Sequence, residues 1–203
     1  MRGSHFKEAP LKILFLPTIA AAILLCTALF ATAQTAPQPP NVSEQFSATA
    51  FGTSGATSGK SVGINIYINS YTTDAEVKEY LSVLKAQGQD GLEKAFDKTK
   101  ERGRLAVVGS TGNDISFIRS RNAETKRIIR MASNRMMSFA ELYNSPRSRD
   151  YKFTIVELRL DADGNGEGNI FYAVKLKFNK KGELEIEHYG QSPIRLANVR
   201  KQK

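Results

Sequence analysis

The chain has 203 residues, a formal net charge of +9 and a single cysteine, Cys26. Cys26 lies in the N-terminal leader described below, so the remainder can form no disulfide and offers no thiolate nucleophile or thiolate metal ligand. About 170 residues follow the leader, enough for one domain with a hydrophobic core and few for two. They keep a surplus of about seven positive charges, which favours anionic partners.

The first 33 residues have the pattern of an export signal. Three basic residues precede a long apolar run, 13–33, which ends in Ala31-Thr32-Ala33. This small-x-small ending predicts cleavage after Ala33 and a secreted or periplasmic protein. An uncleaved membrane anchor is the alternative, because about 20 apolar residues can span a bilayer. Any membrane contact is expected only through this leader.

A short linker is predicted to separate the leader from one folded domain. Residues 34–44 contain Pro37, Pro39 and Pro40 without apolar periodicity, which indicates an extended, solvated tether. Residues 45–203 are then expected to form a single domain, with regular structure beginning near Phe46.

The clearest strand pattern is an alternation of β-branched and other residues. β-Branched side chains occupy every second position from Val62 to Ile68. They alternate with Gly63, Asn65, Tyr67 and Asn69. This period of two predicts a strand with one apolar face.

A helical pair is predicted after this strand. The first helix starts at a capping box formed by Thr73 and Glu76 and ends at Gly88. The second begins near Asp90 and ends before Gly103, after a basic last turn.

The rest of the chain has the pattern of strands separated by turns. Short β-rich runs at 105–108, 115–121 and 126–132 indicate a meander. A further short helix is predicted from the capping box of Ser138 and Glu141. Strands resume at Tyr151, with turn signals at 161–168 and 179–182 and a last strand at 194–200.

The turn at 179–182 allows a register to be predicted. A three-residue loop ending in Gly182 is typical of a type I turn followed by a bulge, which places Asn179 opposite Glu183. The resulting cross-strand pairs are Lys177 with Glu185, Lys175 with Glu187, Phe178 with Leu184, and Leu176 with Ile186. One face of this hairpin is expected to be charged and the other to belong to the core.

These elements predict an α+β fold in a single domain. We expect a predominantly antiparallel, curved or barrel-like sheet of about eight to nine strands, with the inserted helical pair and one further short helix.

The segment 54–61 comes close to a phosphate-cradling loop. It has Ser54 where that motif requires glycine. The motif also needs a helix to start at Lys60, so that amide dipoles point at the phosphate, whereas the following residues have a strand pattern. No nucleotide is therefore expected, and a Gly/Ser hairpin loop is the interpretation.

A second loop resembles a calcium site. Asp161, Asp163, Asn165 and Gly166 match the first, third, fifth and sixth positions of a calcium-binding loop. The twelfth position, where a bidentate glutamate closes such a site, is Tyr172. Because Asp-Gly and Asn-Gly are also common in tight β-turns, we favour a structural turn and keep a calcium-stabilised module as an alternative.

Two ionisable residues are candidates for catalysis. His188 is the only histidine outside the leader, and the predicted register places it opposite Val174, where a core or rim histidine is expected. Glu157 stands among apolar neighbours and could belong to a carboxylate pair. An ion pair with Arg119, Arg159 or a neighbouring strand is the alternative. We assign no catalytic, cofactor-binding or metal-binding residue and expect no cofactor.

Basic residues gather in two parts of the chain. One group lies in the predicted hairpin after residue 115 and the other near the C-terminus: Arg119, Arg121, Lys126, Arg127, Arg130 and Arg135, and Arg195, Arg200, Lys201 and Lys203. If folding unites them, they form a face for acidic polysaccharide, phospholipid head groups or nucleic acid. A solvated surface that discourages aggregation is the alternative.

The leader and three segments together resemble a group of uncharacterised secreted bacterial proteins. The segments are Ser138–Tyr151, Leu160–Gly168 and Pro193–Leu196. The resemblance covers most of the chain after the leader. It implies an extracytoplasmic bacterial domain and transfers no activity, ligand or site residue.

The leading hypothesis is an exported, non-enzymatic domain that binds a ligand, an anionic polymer or a protein partner of unknown identity. It depends on the positive surplus and on the lack of a recognisable catalytic set. A small carboxylate-dependent hydrolase using Glu157 is the main alternative.

Overall fold

The computed structural model describes residues 43–53, 58–134, 151–179, 182, 184–188 and 192–203. In these ranges the chain forms ten strands and one helix: β1 (Glu44–Phe51), β2 (Ser61–Ile68), α1 (Asp74–Lys98), β3 (Gly103–Val107), β4 (Asn113–Ile115), β5 (Phe117–Ala123), β6 (Lys126–Ser133), β7 (Phe153–Leu160), β8 (Gly166–Phe178), β9 (Leu184–His188) and β10 (Ile194–Lys201). The leader, most of the tether at 34–44 and the short helix expected from Ser138 lie outside the described residues. β1 starts one residue before the expected domain boundary.

All strands belong to one antiparallel sheet. Nine of them follow the order β4-β3-β2-β1-β10-β8-β7-β6-β5, and β9 pairs only with β8. The predicted antiparallel, barrel-like sheet is therefore confirmed. β10 lies between β1 and β8, so the strand farthest from β1 in sequence is its neighbour in space.

The sheet closes almost completely on itself because β4 and β5, at the two ends of this order, are consecutive in the chain. Ser116 alone joins them. Its N–H donates to the Ala132 carbonyl of β6 at 3.2 Å. The Ser133 hydroxyl of β6 donates to the Asp114 carbonyl of β4 at 2.8 Å. These bonds tie β4 to β6 across the seam.

Alternating side chains fill the interior of the barrel. The predicted apolar face of β2 is confirmed, since Ile64, Ile66 and Ile68 are fully buried. They pack with residues of the same interior face on other strands, among them Phe46, Leu105, Ile129, Val156, Leu158, Ile170 and Leu196. Burial of this apolar surface is the main favourable term in folding.

The predicted helical pair is not confirmed, because the structure has a single helix, α1. The expected capping box is present at its start, where the Glu76 N–H donates to the Thr73 hydroxyl and the Thr73 N–H donates to the Glu76 carboxylate. Gly88 has the positive φ, 66°, of a helix-ending glycine, yet helical structure resumes at once beyond it. A local break of this kind kinks a helix without ending it.

Helix α1 packs against the outer face of the sheet. Leu84, Leu92 and Phe96 of the helix join Phe153 of β7 and Leu176 of β8 in a second apolar cluster. The Phe96 and Phe153 rings meet edge to face, with centroids 5.8 Å apart. The helix thus covers one part of the outer face of the sheet.

The predicted register of the β8–β9 hairpin is confirmed. The four side-chain pairs expected from the turn at Gly182 are all present, and His188 lies opposite Val174. The expected core face is wrong on the β9 side, because Leu184 and Ile186 are exposed while Leu176 is buried. Leu176 belongs to the apolar cluster under α1, and this cluster does not include Leu184 and Ile186 on the same side of β9.

Candidate functional site

A buried ionic cluster closes the end of the barrel where β1 begins. Glu44 shares the interior face of β1 with Phe46 and Ala48, and its side chain is only 8% exposed. Arg127 reaches it from β6, although β6 and β1 are not neighbours in the sheet. The cluster therefore spans the inside of the barrel rather than following the sheet.

Three side chains, those of Arg127, Tyr71 and Lys201, donate hydrogen bonds to the Glu44 carboxylate. Arg127 donates Nη1 to Glu44 Oε1 at 3.0 Å and Nη2 to Oε2 at 2.9 Å. The Tyr71 hydroxyl donates to Oε2 at 2.7 Å, and Lys201 Nζ donates to Oε1 at 3.1 Å. The Arg127 Nε donates to the Ser120 hydroxyl at 2.9 Å. Such a bidentate, charge-assisted arrangement is among the stronger polar contacts in proteins.

These contacts shift the proton affinities of the cluster. Burial raises the pKa of Glu44, but the hydrogen bonds from Arg127 and Tyr71 outweigh it, and the net pKa lies below the ordinary value of 4.5. Burial and the nearby Glu44 carboxylate raise the pKa of the Tyr71 hydroxyl, which therefore stays protonated. Glu44 is thus ionised at neutral pH, and the cluster acts as a structural ionic closure.

The two predicted basic groups meet in this cluster. Arg127 comes from the hairpin group and Lys201 from the C-terminal group, and both hold the same carboxylate. One member of each group therefore lies at the barrel end, where both are neutralised by the same carboxylate.

A second basic arrangement lies on the outer face of five neighbouring strands. Cross-strand pairing places Arg119, Arg130, Glu157, Asn169 and Arg195 in one row across β5, β6, β7, β8 and β10. The next row contains Arg121, Ile128, Arg159 and Glu167. We call the five arginines of these rows the arginine face.

The members of the arginine face differ in how far they are neutralised. Arg119 donates to Asp74 at 2.6 Å and to the Thr72 carbonyl at 2.7 Å. Arg130, Arg159 and Arg195 each have more than half of the side chain exposed. Five arginines are balanced here by Glu157, Glu167 and Asp74, so the face keeps a positive surplus.

Glu157, the candidate general acid or base, lies at the centre of the arginine face. Its carboxylate accepts from Arg130 Nε at 2.7 Å and from Arg159 Nε at 2.9 Å. Burial raises the pKa of Glu157, but the Arg130 hydrogen bond and charge outweigh it, so that the pKa is lowered. A general acid needs the opposite shift. Glu157 therefore has the geometry of an ion pair, the alternative to a catalytic role, and its partners are Arg130 and Arg159.

The calcium-like turn is held by its own backbone. The Asp161 Oδ1 accepts from the N–H groups of Asp163 at 3.0 Å and Asn165 at 2.8 Å. The Asp161 N–H donates to the Asn165 carbonyl at 2.7 Å. This carboxylate completes an Asx-type turn, the structural role expected for Asp in a tight loop. Among the described residues there is no group of three or more His, Cys, Asp or Glu side chains that could hold a metal ion.

Two other candidates lie partly outside the described residues. Residues 54–57 of the 54–61 segment are not described, but Ser61 begins β2, so the chain continues there as a strand rather than as a helix. The backbone of His188 pairs with Val174 as predicted. Arg135 also falls outside the described residues.

Sequence reasoning missed Glu44 and Tyr71. Glu44 was expected at the end of the tether, and its partners Arg127 and Lys201 are 83 and 157 residues away in the chain. The available signal was the alternation of Glu44, Phe46, Ala48 and Ala50, which puts a carboxylate on an apolar strand face.

Comparison with protein-family models, with curated protein sequences and with solved structures found no match to this chain. Over the part of the chain that the structure describes, no helix has the length and apolar character needed to cross a membrane.

Proposed function

We propose that this protein is an exported, non-enzymatic binding domain that holds anionic polymers on its arginine face. The observation that carries the proposal is the exposure of Arg130, Arg159 and Arg195 on one continuous outer surface. The proposal of export depends on the leader at 1–33, and the proposal of binding depends on this surface.

The spacing of these arginines favours a polymer over a single small anion. Arg130 and Arg195 stand in the same cross-strand row but three strands apart, a separation of roughly 14 Å at the usual strand spacing. One small anion cannot bridge this distance, whereas a chain with repeated charges can contact both. Guanidinium groups also bind sulfate, phosphate and carboxylate in a bidentate manner.

Retention on immobilised heparin and on immobilised polyphosphate, eluted with a salt gradient, tests the proposal. We expect the protein to be retained at low salt and released at high salt, because exposed charges are screened. A triple variant, R130Q/R159Q/R195Q, should elute at clearly lower salt. The matched control is K78Q/K85Q/K98Q, which removes the same charge from exposed positions of α1 and should elute close to the original protein.

Two results would contradict the proposal. One is that neither heparin nor polyphosphate retains the protein in a salt-sensitive manner. The other is an equal shift for the arginine and lysine variants, which would assign retention to overall net charge.

A further inference from the structure

A polar cleft lies on strands that the arginine face does not include. It is formed on the outer face of β2 and β3 and has a volume of about 560 Å³. Sites for small ligands commonly fall between about 300 and 1,000 Å³. Its lining includes Asn65 and Tyr67 of β2 and Asn69, the residue directly after this strand.

The strand holds these three side chains in a fixed line. Asn65, Tyr67 and Asn69 alternate with Ile64, Ile66 and Ile68, which are fully buried in the barrel. Polar groups carried on a rigid, packed strand are better positioned than groups on a loop. All three side chains line the cleft, so a ligand that enters it meets their polar groups.

The loop after β3 forms the opposite wall of the cleft. Ser110 donates both its N–H and its hydroxyl to the Val107 carbonyl, each at 2.9 Å. Gly112 has φ 76°, and a Cβ at this position would stand 2.4 Å from the Leu105 carbonyl oxygen. Glycine therefore lets the loop fold back on β3 and keeps Ser110 and Thr111 beside the cleft.

The lining of the cleft carries no net charge, because its one arginine and one glutamate pair: Arg104 Nη2 donates to Glu101 Oε2 at 3.2 Å. Arg104 Nε also lies 3.6 Å from the carboxylate of Asp114, which is not part of the lining. The other polar groups are amides and hydroxyls, each of which can both donate and accept a hydrogen bond. This lining suits a neutral ligand rich in hydroxyl groups, and it differs from the arginine face.

We propose that the cleft binds a neutral oligosaccharide. Sugar hydroxyls both donate and accept hydrogen bonds, which matches the amides of Asn65 and Asn69. The Tyr67 ring between them offers an apolar surface for the C–H face of a sugar ring, together with a polar hydroxyl. Asn65 and Asn69 are roughly 13 Å apart along the strand, a length that exceeds one pyranose ring.

The test is calorimetric titration of the purified protein with short neutral oligosaccharides built from glucose, mannose, galactose or N-acetylglucosamine. We expect at least one class to bind, with an affinity that does not change between low and high salt. Tyr67→Ala should lower this affinity about tenfold, and the N65A/N69A variant should do the same. Tyr67→Phe keeps the ring and should lose only about two- to fivefold.

Control variants separate this proposal from the arginine face. Asn122→Ala, an exposed asparagine on β5, and R130Q/R159Q/R195Q should both bind sugar as the original protein does. If Tyr67→Ala does not fold, as judged by circular dichroism, the test uses the oligosaccharide affinities of N65A/N69A and Tyr67→Phe instead. Binding of none of the sugar classes, or unchanged binding by the folded cleft variants, overturns the proposal.

Discussion

Glu44 and Glu157 are each held by two basic side chains, but they lie on opposite sides of the same sheet. Their own exposures are similar, 8% and 12%. Their partners differ, because Arg127 reaches through the barrel interior and is 27% exposed, whereas Arg130 and Arg159 are about half exposed. The surroundings of the basic partner therefore decide the free-energy cost of breaking each ion pair. Arg130 and Arg159 can return to water, and Arg127 can do so much less.

The largest effect is expected when the interior cluster loses its arginine. Arg127→Leu leaves Glu44 buried with only Lys201 and Tyr71, and we expect the free energy of unfolding to fall by about 3 kcal/mol, as for other broken buried ion pairs. Urea denaturation followed by circular dichroism measures it. Arg127→Lys keeps the charge without the bidentate contact and should lose less. A loss below about 1 kcal/mol for Arg127→Leu would mean that water reaches the barrel end.

Acid should erase the difference between the original protein and a variant without the interior carboxylate. The folded-state pKa of Glu44 lies below its ordinary value of 4.5. Its contribution to stability is therefore present above about pH 4.5 and is lost as pH falls through the folded-state pKa. At neutral pH, Glu44→Gln should be clearly less stable than the original protein.

Urea denaturation of both proteins from neutral pH to about pH 3 measures this effect. The two stability curves should approach each other at the acid end. A constant gap over the whole range would show that Glu44 has the same pKa in the folded and unfolded states.

The smallest effect is expected on the outer face. Glu157→Gln leaves Arg130 and Arg159 exposed to water, so we expect a loss of about 1 kcal/mol or less. Glu167→Gln is the matched control, because Glu167 pairs with Arg195 at 3.3 Å and is itself 51% exposed. It should change stability by less than about 0.5 kcal/mol. The same urea measurements give both values, and a loss for Glu157→Gln as large as for Arg127→Leu would contradict the comparison.

Local signals in the sequence predicted the elements that depend on neighbouring residues. The alternation in 62–68 identified β2, and the capping box of Thr73 and Glu76 identified the start of α1. The turn at Gly182 was enough to give the complete β8–β9 register, because turn geometry fixes hairpin pairing. Ion-pair partners for Glu157 were likewise foreseeable from its own strand, where Arg159 is two residues away.

Features that depend on distant residues were not predictable in this way. The alternation in β9 shows which residues share a face, but not whether anything covers it, so Leu184 and Ile186 were expected in the core and are exposed. Gly88 has the conformation of a helix end, but whether the chain then turns away depends on packing of Leu92 and Phe96. The Glu44 cluster joins four separate parts of the chain, at Glu44, Tyr71, Arg127 and Lys201.

The position of β10 has a consequence for how the protein folds. Phe46 pairs with Lys201, while β10 also pairs with β8 on its other side. The two halves of the sheet are thus joined by β10, which the ribosome synthesises after the other nine described strands. Pairing between such remote segments is slow, because a long loop must be ordered before any contact forms. An incomplete nascent chain lacks the strand that unites its halves, so closure of the barrel waits until synthesis has passed residue 201.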